Sequence, residues 1–446
     1  MNRLIVLICL AAFPGACNRS FDPPAELVAS AETPSGALLA PAQRADAPAL
    51  PSPFTVSQAL GHAWRMHPGM YRARHMILAR HGYQAQAALW PNPVVGGAFQ
   101  EEPGKKTRGI VSLAQKFEIG GKADARVSVA AANIFLSEAE LIETWSAIRA
   151  EIKEAFARAE YARLNRDLTE RIAQADQEGL DLTVGLFKAG KASETQTLKL
   201  TQRAAKSKAA FAQSAFLVSD ADRGLLIAIG RQPHNKTPKL VCSLDVDSPL
   251  AGQFDALLKS ANATNPQLKT ARAQTAVTQA QLRLARTKRW SDVTVGMSYY
   301  QTDYEMDDDG GSITVNVSAP LPIWDRNQGN IAAARQNIAA TQRQRQVAAL
   351  VAARQLSQLF SQRQRWQVEL KSLEETIIPA ATRELKLIRD AHAGGKASQL
   401  DVIKQRRELI ALDLKRLELR LLAAVATIQL ENITGIAAHD PNPPKK

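Results

Sequence analysis

The chain contains the same four-residue motif twice, and this repeat constrains its fold more than any other feature. Gly190-Lys191-Ala192-Ser193 returns as Gly395-Lys396-Ala397-Ser398, at a spacing of 205 residues. Gly230 and Gly435 are separated by the same spacing. A constant offset indicates a tandem duplication, here of two halves with about 180 structured residues each.

Each motif lies between two long helical patterns, where a glycine commonly ends one helix and a serine begins the next. Proline is absent from Lys122 to Lys188, and apolar residues recur there at alternating steps of four and three. These residues are Leu141, Trp145, Ile148, Ile152, Ala155, Ala159 and Ala162. The pattern predicts a coiled-coil helix about 100 Å long. Each half is therefore predicted to form a long helical hairpin with the repeated motif at its tip.

Both halves also contain period-2 segments, which predict strands with two different faces. The predicted strands cover Val94 to Gln100, Gly109 to Ile119, a segment from Val293, and Ile313 to Leu321. Their alternation of apolar with polar or small residues is typical of a membrane β-barrel, but four strands cannot close one. A dimer would supply eight strands and a filled interior, whereas a trimer would supply twelve and leave a bore.

Shorter elements complete the prediction. Helices are expected over Val56 to Met66, Pro68 to Leu89 and Pro266 to Trp290, and polar turns over 101–106 and 307–311. The second long helix is expected from about Arg326, with a kink or break at Pro379. No strong pattern is found in the connector from Pro233 to Leu250.

Composition agrees with long helices rather than a thick globular core. Of 446 residues, 45% are hydrophobic but only 5% are aromatic. The net charge of +13 could indicate a nucleic-acid partner, but Lys and Arg alternate with acidic residues along the helices, which favours solvated faces. Cys9, Cys17 and Cys242 are too few and too scattered for a disulfide frame or a thiolate metal site.

The first 17 residues have the pattern of an export signal. Arg3 is followed by an apolar stretch and by the small residues Gly15-Ala16. Because Cys17 follows directly, the segment resembles a bacterial lipoprotein signal and predicts lipidation of Cys17; plain cleavage near Ala16 is the alternative. Residues 18–53 are rich in proline and alanine and predict an extended tether. No later stretch has the 18 or more uninterrupted apolar residues of a spanning helix.

Four segments resemble the trimeric outer-membrane efflux family, the TolC-like channels, and within it the heavy-metal and drug efflux branch. Phe117-Glu118-Ile119-Gly120-Gly121-Lys122 resembles the first strand-to-helix junction of that branch, and the segment from Pro320 to Gly329 resembles the second. The hairpin ends are similar to the periplasmic tips of the family. The resemblance covers about Phe54 to Gly435.

The resemblance implies a mainly α fold with a membrane β-barrel. Two tandem repeats, 54–230 and 265–435, would be joined by a connector, 231–264, and followed by a tail, 436–446. Each repeat would supply two strands and long helical hairpins, so that a homotrimer forms a twelve-stranded barrel and a helical periplasmic tunnel. The chain would lie in the outer membrane of a Gram-negative bacterium, in contact with its lipid, and extend into the periplasm.

The resemblance also implies a function without a reaction or cofactor of its own. The chain would be the outer channel of a proton-driven tripartite exporter of metal cations or small toxic compounds, with a periplasmic adaptor and an inner-membrane RND pump as partners. The implied site residues fall into three groups. They are the adaptor-docking tips Ala189, Gly190, Lys191, Ala192, Ser193, Gly394, Gly395, Lys396, Ala397 and Ser398; the aperture residue Asp401; and the junction residues Gly120, Gly121, Lys122, Pro320, Pro322, Arg326, Asn327 and Gly329.

Two other functions remain open from the residues alone, namely the outer channel of a type I protein secretion system and a periplasmic coiled-coil scaffold without a pore. The His and Met residues between His62 and His81 suggest a metal site, but their spacing does not place them on one helix face. Catalytic constellations and phosphate-binding loops are not found, so enzymatic activity is not expected.

Overall fold

The structure, a computed structural model, describes residues 50–100, 108–233, 240–241, 244, 253–301 and 311–435. The predicted export signal, Cys17, most of the tether, Cys242, nearly all of both predicted turns and the tail lie outside these residues.

The described residues form nine α-helices and six strands. The helices are α1 (Val56–Met66), α2 (Pro68–Ala88), α3 (Lys122–Lys188), α4 (Glu194–Ala228), α5 (Phe254–Thr264), α6 (Pro266–Thr287), α7 (Gln328–Ser372), α8 (Ile378–Ala393) and α9 (Gln399–Thr434). The strands are β1 (Phe54–Thr55), β2 (Val94–Gln100), β3 (Arg108–Phe117), β4 (Leu240–Val241), β5 (Val293–Gln301) and β6 (Gly311–Ser318). Helices α1 and α3 and strand β2 have the predicted boundaries. None of the described helices is both long enough and apolar enough to cross a bilayer.

The chain divides into two compact units, and each takes segments from both halves of the sequence. Of the described residues, one unit contains 73–100, 108–139, 271–301 and 311–344, and the other contains 50–72, 140–233, 240–241, 244, 253–270 and 345–435. The duplicated halves are therefore interleaved within each unit.

The first unit contains a four-stranded antiparallel sheet in the order β2-β3-β5-β6. The pairing of Ser112 with Ser298 joins the sequence halves at the centre of the sheet, because β3 belongs to the first half and β5 to the second. Strands β2 and β6 lie at the two edges. Helices α2, α3, α6 and α7 all connect to the same end of the sheet, since hairpin segments join the strands at the other end.

Two strands end earlier than the sequence pattern suggests. Strand β3 ends at Phe117, which lies opposite Val293, the first residue of its partner β5. Strand β6 ends at Ser318, two residues before Pro320, which has no N–H to donate to a neighbouring strand. The predicted extensions to Ile119 and Leu321 were therefore wrong by two to three residues.

The second unit has its main apolar core where α1 and α2 pack against α3 and α4. Its fully buried members include Phe54, Met70, Ile152, Phe156, Leu225 and Ile229. The predicted seam of α3 is confirmed in this unit: Ile148, Ile152, Ala159 and Ala162 are buried, and Leu141, Trp145 and Ala155 pack against the core.

The long helices of the second unit contact one another in the order α4-α3-α9-α8. Arg163 of α3 pairs with Asp222 of α4 at 2.6 Å, and Lys153 of α3 pairs with Glu431 of α9 at 2.8 Å. The Gln405 amide of α9 donates to Glu384 of α8 at 2.9 Å. Helix α9 is thus an inner member of this layer. In agreement, its buried residues Leu417, Leu419 and Leu430 lie on more than one side of the helix.

The predicted kink or break near Pro379 takes the form of a wider helical turn. A π-helical segment, Leu373–Ile377, lies between α7 and α8, and the Ile378 N–H donates to the Leu373 carbonyl five residues earlier. Proline has no N–H for the usual bond four residues back, so a change in the hydrogen-bonding register next to Pro379 removes that mismatch. The helical backbone continues through the segment.

The connector contains structure that its sequence pattern did not reveal. Strand β4 pairs in parallel with β1, with Phe54 opposite Leu240. Helix α5 begins at Phe254, and its Leu257 packs against Leu356 and Leu430. With only 11 residues, this helix has too few turns for a clear period.

Candidate functional site

The two hairpin tips have the same backbone conformation. Gly190 has φ of 70° and Gly395 has φ of 69°. Lys191 N–H donates to the Leu186 carbonyl and Lys396 N–H to the Ala391 carbonyl, both at 2.8 Å. This is the Schellman pattern of helix termination, in which glycine is favoured because it adopts positive φ without strain. The predicted glycine ends of both helices are confirmed.

Both return helices begin with a capping box. Ser193 Oγ accepts from Gln196 N–H at 3.2 Å, and Ser398 Oγ accepts from Asp401 N–H at 3.2 Å. In return, the Gln196 side chain accepts from Ser193 N–H at 3.1 Å. The predicted serine starts are confirmed, and local hydrogen bonds alone account for the shape of each tip.

Asp401 is the reciprocal member of the second capping box. Its carboxylate accepts from Ser398 Oγ at 2.6 Å and from Ser398 N–H at 3.2 Å, and it lies 3.7 Å from the Lys404 ammonium. The hydrogen bonds from Ser398 hold the pKa of Asp401 below its ordinary value, so the side chain stays ionised. A helix-capping role is thus established within the chain, and the aperture role stays a prediction.

The tips are open for contact with another molecule. A Cβ built on Gly190 or Gly395 meets no atom within 4 Å. Exposure is the same in both tips, with Lys191 and Lys396 exposed and Ala192 and Ala397 half-buried. The tips differ at His392, whose Nδ1 donates to the Ala397 carbonyl at 2.9 Å. The matching residue of the first tip is Phe187, whose ring has no nitrogen to donate.

A buried carboxylate near the tips connects three helices. Asp176 of α3 is only 4% exposed, and its Oδ1 lies 2.9 Å from Arg203 of α4 and 2.9 Å from Arg407 of α9. A second ion pair joins Glu178 of α3 to Arg406 of α9. Asp176 therefore links the first hairpin to the second close to their free ends.

The first strand-to-helix junction contains a tight turn and a buried charge cluster. Gly120 and Gly121 have φ of 75° and 72°, and a Cβ on Gly120 would lie 2.6 Å from the Trp290 ring. Lys122 is buried and pairs with Asp292, which also lies 2.8 Å from Lys116. Burial alone raises the pKa of Asp292, but the hydrogen bonds from Lys116 and Lys122 outweigh burial and hold the pKa below its ordinary value.

The second junction is built differently. Arg326 Nε donates to the Pro322 carbonyl at 3.1 Å, and the Asn327 amide donates to the Ala285 carbonyl of α6 at 2.7 Å. Asn327 has φ of 58°, which asparagine tolerates better than most residues. Helix α7 begins just after it, two residues later than predicted, and Gly329 lies in its first turn. Pro320 and Pro322 lie in the exposed segment between β6 and α7.

The register of the sheet separates an apolar face from a polar one. Opposed residues on the first face include Val95, Val111, Leu113, Met297, Tyr299, Ile313, Val315 and Val317. Opposed residues on the second face include Ser112, Ser298, Thr314, Thr294, Ser318 and Asn316. Phe99 is 87% exposed and Val317 is 68% exposed, so the apolar face is uncovered within this chain. The predicted two faces are confirmed most clearly for β5 and β6, whereas the second face also carries Val94, Ala98 and Ile110 on β2 and β3.

Two of the histidines that suggested a metal site make hydrogen bonds to other groups of the protein. His62 Nε2 accepts from Arg231 Nε at 3.2 Å, and His67 Nδ1 accepts from Gly69 N–H at 3.0 Å. Within the described part of the chain, no three His, Cys, Asp or Glu side chains are grouped as metal ligands.

Acid is expected to destabilise the protein through His62. Burial, followed by the charges of Arg231 and Arg65, lowers the pKa of His62 to about 4, from an ordinary 6.5. Between pH 6.5 and about 4 the unfolded chain therefore takes up a proton at His62 that the folded chain does not. The stability that depends on a neutral His62 is complete above pH 6.5 and is lost towards pH 4. The unfolding midpoint of His62→Gln should fall less between pH 7 and pH 4.5 than that of the wild type; an identical pH dependence would contradict this.

Three site residues were not predicted from the sequence: Asp176, Asp292 and Trp290. Each belongs to an ordinary local pattern, a charged residue in a helix or a residue at a helix end. Asp292 gave the clearest available signal, because it follows Trp290 at the point where the helical period changes to a strand period.

Comparison with known proteins gives a consistent result. The model of the outer membrane efflux protein family matches residues 257–436. The cobalt-zinc-cadmium resistance protein CzcC of Cupriavidus metallidurans is 25% identical over 361 residues, which cover 80% of this chain and 84% of CzcC. The nickel-cobalt-cadmium resistance protein NccC of Alcaligenes xylosoxydans xylosoxydans is 30% identical over 310 residues, 67% of each chain.

The fold is also similar to a solved structure, that of the outer-membrane channel OprN. The TM-score is 0.70 at 16% sequence identity, and the match covers 85% of this chain and 89% of that one. Identity this low supports the fold alone.

Proposed function

This chain belongs to the outer membrane efflux protein family, and from that premise we propose that it is the outer-membrane channel of a tripartite exporter of metal cations. The four-stranded sheet carries the proposal, because its apolar face suits lipid, its polar face suits water, and the outer edges of β2 and β6 pair with no other described strand. The names of CzcC and NccC, which refer to cobalt, zinc, cadmium and nickel resistance, support metal cations as the cargo.

We propose that three copies associate, and the open edges of the sheet support such an association. Strand β2 at one edge and β6 at the other differ in sequence, so one copy would join the next head to tail, and three copies would supply a ring of twelve strands. The helical layer supports the same arrangement. Its outer members expose large apolar side chains, including Phe216 on α4 and Leu387 on α8, at 73% and 63%. Burial of these side chains against a second copy would stabilise the ring.

The hairpin tips are the proposed docking site for a periplasmic adaptor, which would connect the channel to an inner-membrane RND pump. The open space around Gly190 and Gly395 supports this role, because a partner helix can approach the backbone closely there. The pump would supply the energy, and this chain would supply the conduit.

Reversing the charge of both tips should weaken adaptor binding. Lys191→Glu combined with Lys396→Glu changes one exposed cation at the same position of each tip, and we expect about tenfold weaker binding of the adaptor. The variant should still insert into membranes and form pores, because neither lysine lies in the sheet. Lys206→Glu combined with Lys208→Glu is the matched control on α4. Equal adaptor binding by both double variants in a co-purification assay would argue against docking at the tips.

Two measurements test the channel itself. Protein extracted from outer membranes is expected to form ion-conducting pores in planar bilayers, and a strain lacking the gene is expected to lose resistance to at least one of cobalt, zinc, cadmium and nickel salts. Release from membranes by salt alone, together with absence of conductance, would instead favour the scaffold without a pore.

Two finer features belong to the same proposal. Three copies of Asp401 would place a ring of ionised carboxylates at the aperture, and reduced cation selectivity of Asp401→Asn channels would be the sign of it. Acylation of Cys17 would hold the N-terminus at the membrane, and the mass of the mature N-terminal peptide tests it.

A further inference from the structure

Three tryptophans lie at the end of the sheet to which the helices connect. Trp90 precedes β2, Trp290 precedes β5 and Trp324 follows β6. All three are exposed, Trp324 to 86%, although tryptophan is usually well buried. Leu321, exposed to 78%, lies three residues before Trp324.

These tryptophans belong to one continuous band of the first unit. Trp90 packs edge-on against Phe117 of β3 at 6.2 Å between ring centroids, and the Trp290 ring covers the Gly120 turn that follows β3. The Asn327 amide then joins the segment after Trp324 to the end of α6, just before Trp290. We name as the collar the residues Trp90, Lys288, Arg289, Trp290, Trp324 and Arg326.

The collar carries excess positive charge. Segments 283–293 and 318–330 together contain five basic residues and two acidic ones. Both acidic residues are engaged: Asp292 pairs with Lys116 and Lys122, and Asp325 accepts from Asn327 N–H at 2.8 Å. Across the described ranges, no salt bridge involves Lys288, Arg289 or Arg326, and the Arg289 guanidinium lies 5.0 Å from the centre of the Trp290 ring.

The position of the collar follows from the length of the strands. Strand β3 has 10 residues, and a tilted strand of that length spans a hydrocarbon layer of about 25 Å. The collar lies directly beyond the apolar face, so a sheet that spans a bilayer as proposed would place it at the depth of the lipid headgroups. Tryptophan is enriched at that depth, because its ring is apolar while its N–H is polar.

We propose that the collar binds the phosphates of anionic phospholipids in the membrane leaflet that faces the helices. This inference rests on the proposed function, since it requires the sheet to lie in a bilayer. Arg326, Lys288 and Arg289 would pair with headgroup phosphates, while the tryptophans fix the depth of the sheet. Continuity with the apolar sheet face and the excess positive charge favour lipid over a protein partner.

Quenching of tryptophan fluorescence tests the proposal. The full chain is reconstituted into vesicles in which either phosphatidylcholine or phosphatidylglycerol is brominated, and the relative association of the two lipids is measured. We expect the wild type to prefer phosphatidylglycerol about three- to tenfold. Lys288→Gln, Arg289→Gln and Arg326→Gln together should bring the ratio close to one. Lys199→Gln, Lys206→Gln and Lys208→Gln, which remove the same charge from α4, should leave the preference unchanged.

The outcomes separate this inference from the channel proposal. Equal quenching of the wild type by both brominated lipids overturns the inference and leaves the channel in place, as does a preference that survives the triple substitution. Absence of quenching by either lipid shows that the sheet is not in the bilayer, which overturns both. If the triple variant does not fold, a salt titration of the wild type decides. The preference for phosphatidylglycerol should weaken between 50 and 500 mM NaCl, because the Debye length shortens and salt screens the attraction between the basic side chains and the headgroups. A preference that salt does not change would overturn the inference.

Discussion

Replacing Asp176 with alanine is expected to loosen the two hairpins near their tips. The carboxylate is 4% exposed and pairs with Arg203 and Arg407, so its loss leaves two cations without their common partner. Breaking a buried ion pair by removing one member costs about 3–5 kcal/mol, and the partial exposure of the arginines places this case at about 3 kcal/mol. Local opening should then become about a hundredfold more frequent.

Amide hydrogen exchange measures this opening directly. Peptides of α3 around Asp176 and of α9 around Arg407 should exchange faster in Asp176→Ala, while peptides of the sheet should keep their wild-type protection. Glu178→Ala is the matched control, because Glu178 lies on the same helix and pairs with Arg406, but at about half exposure. Its effect should be within about 1 kcal/mol. Wild-type protection in Asp176→Ala would show that the ion pairs do not hold the hairpins together.

Replacing Gly120 with alanine is expected to destabilise the junction between β3 and α3. The positive φ of 75° costs an L-residue about 1–2 kcal/mol. The added Cβ would also lie 2.6 Å from Cδ1 and 2.9 Å from Cγ of Trp290. Because Cγ lies next to the Trp290 backbone, the ring cannot avoid the contact by rotating its far end. Overpacking adds about 1–3 kcal/mol, for a total of about 2–5 kcal/mol.

The neighbouring glycine separates backbone strain from packing. Gly121 has φ of 72°, but a Cβ there meets nothing within 4 Å, so Gly121→Ala should show only the backbone cost. The midpoint of thermal unfolding, followed by helical circular dichroism in detergent, should therefore decrease from wild type to Gly121→Ala to Gly120→Ala. Equal midpoints for the two variants would mean that Trp290 does not restrict Gly120.

Local patterns were sufficient for most of the secondary structure. The helix from Lys122 to Lys188 was predicted with its observed ends, because an uninterrupted apolar seam and the glycine at position 190 depend only on neighbouring residues. The same reasoning identified both capped tips and the two faces of the strands. It failed for α5, which is too short to show a period, and for the ends of β3 and β6, which are set by the start of the partner strand β5 and by a proline.

The sequence by itself determined the duplication, the helical hairpins with their glycine and serine tips, and the alternating strands, since each depends on residues only a few positions apart. The tertiary structure decided that β3 pairs with β5, that Asp176 meets two arginines from different hairpins, and that Trp290 covers Gly120. The physical reason is that the local pattern around an aspartate or a tryptophan is the same on a solvated surface and in a contact. Only the meeting of distant segments in space distinguishes the two.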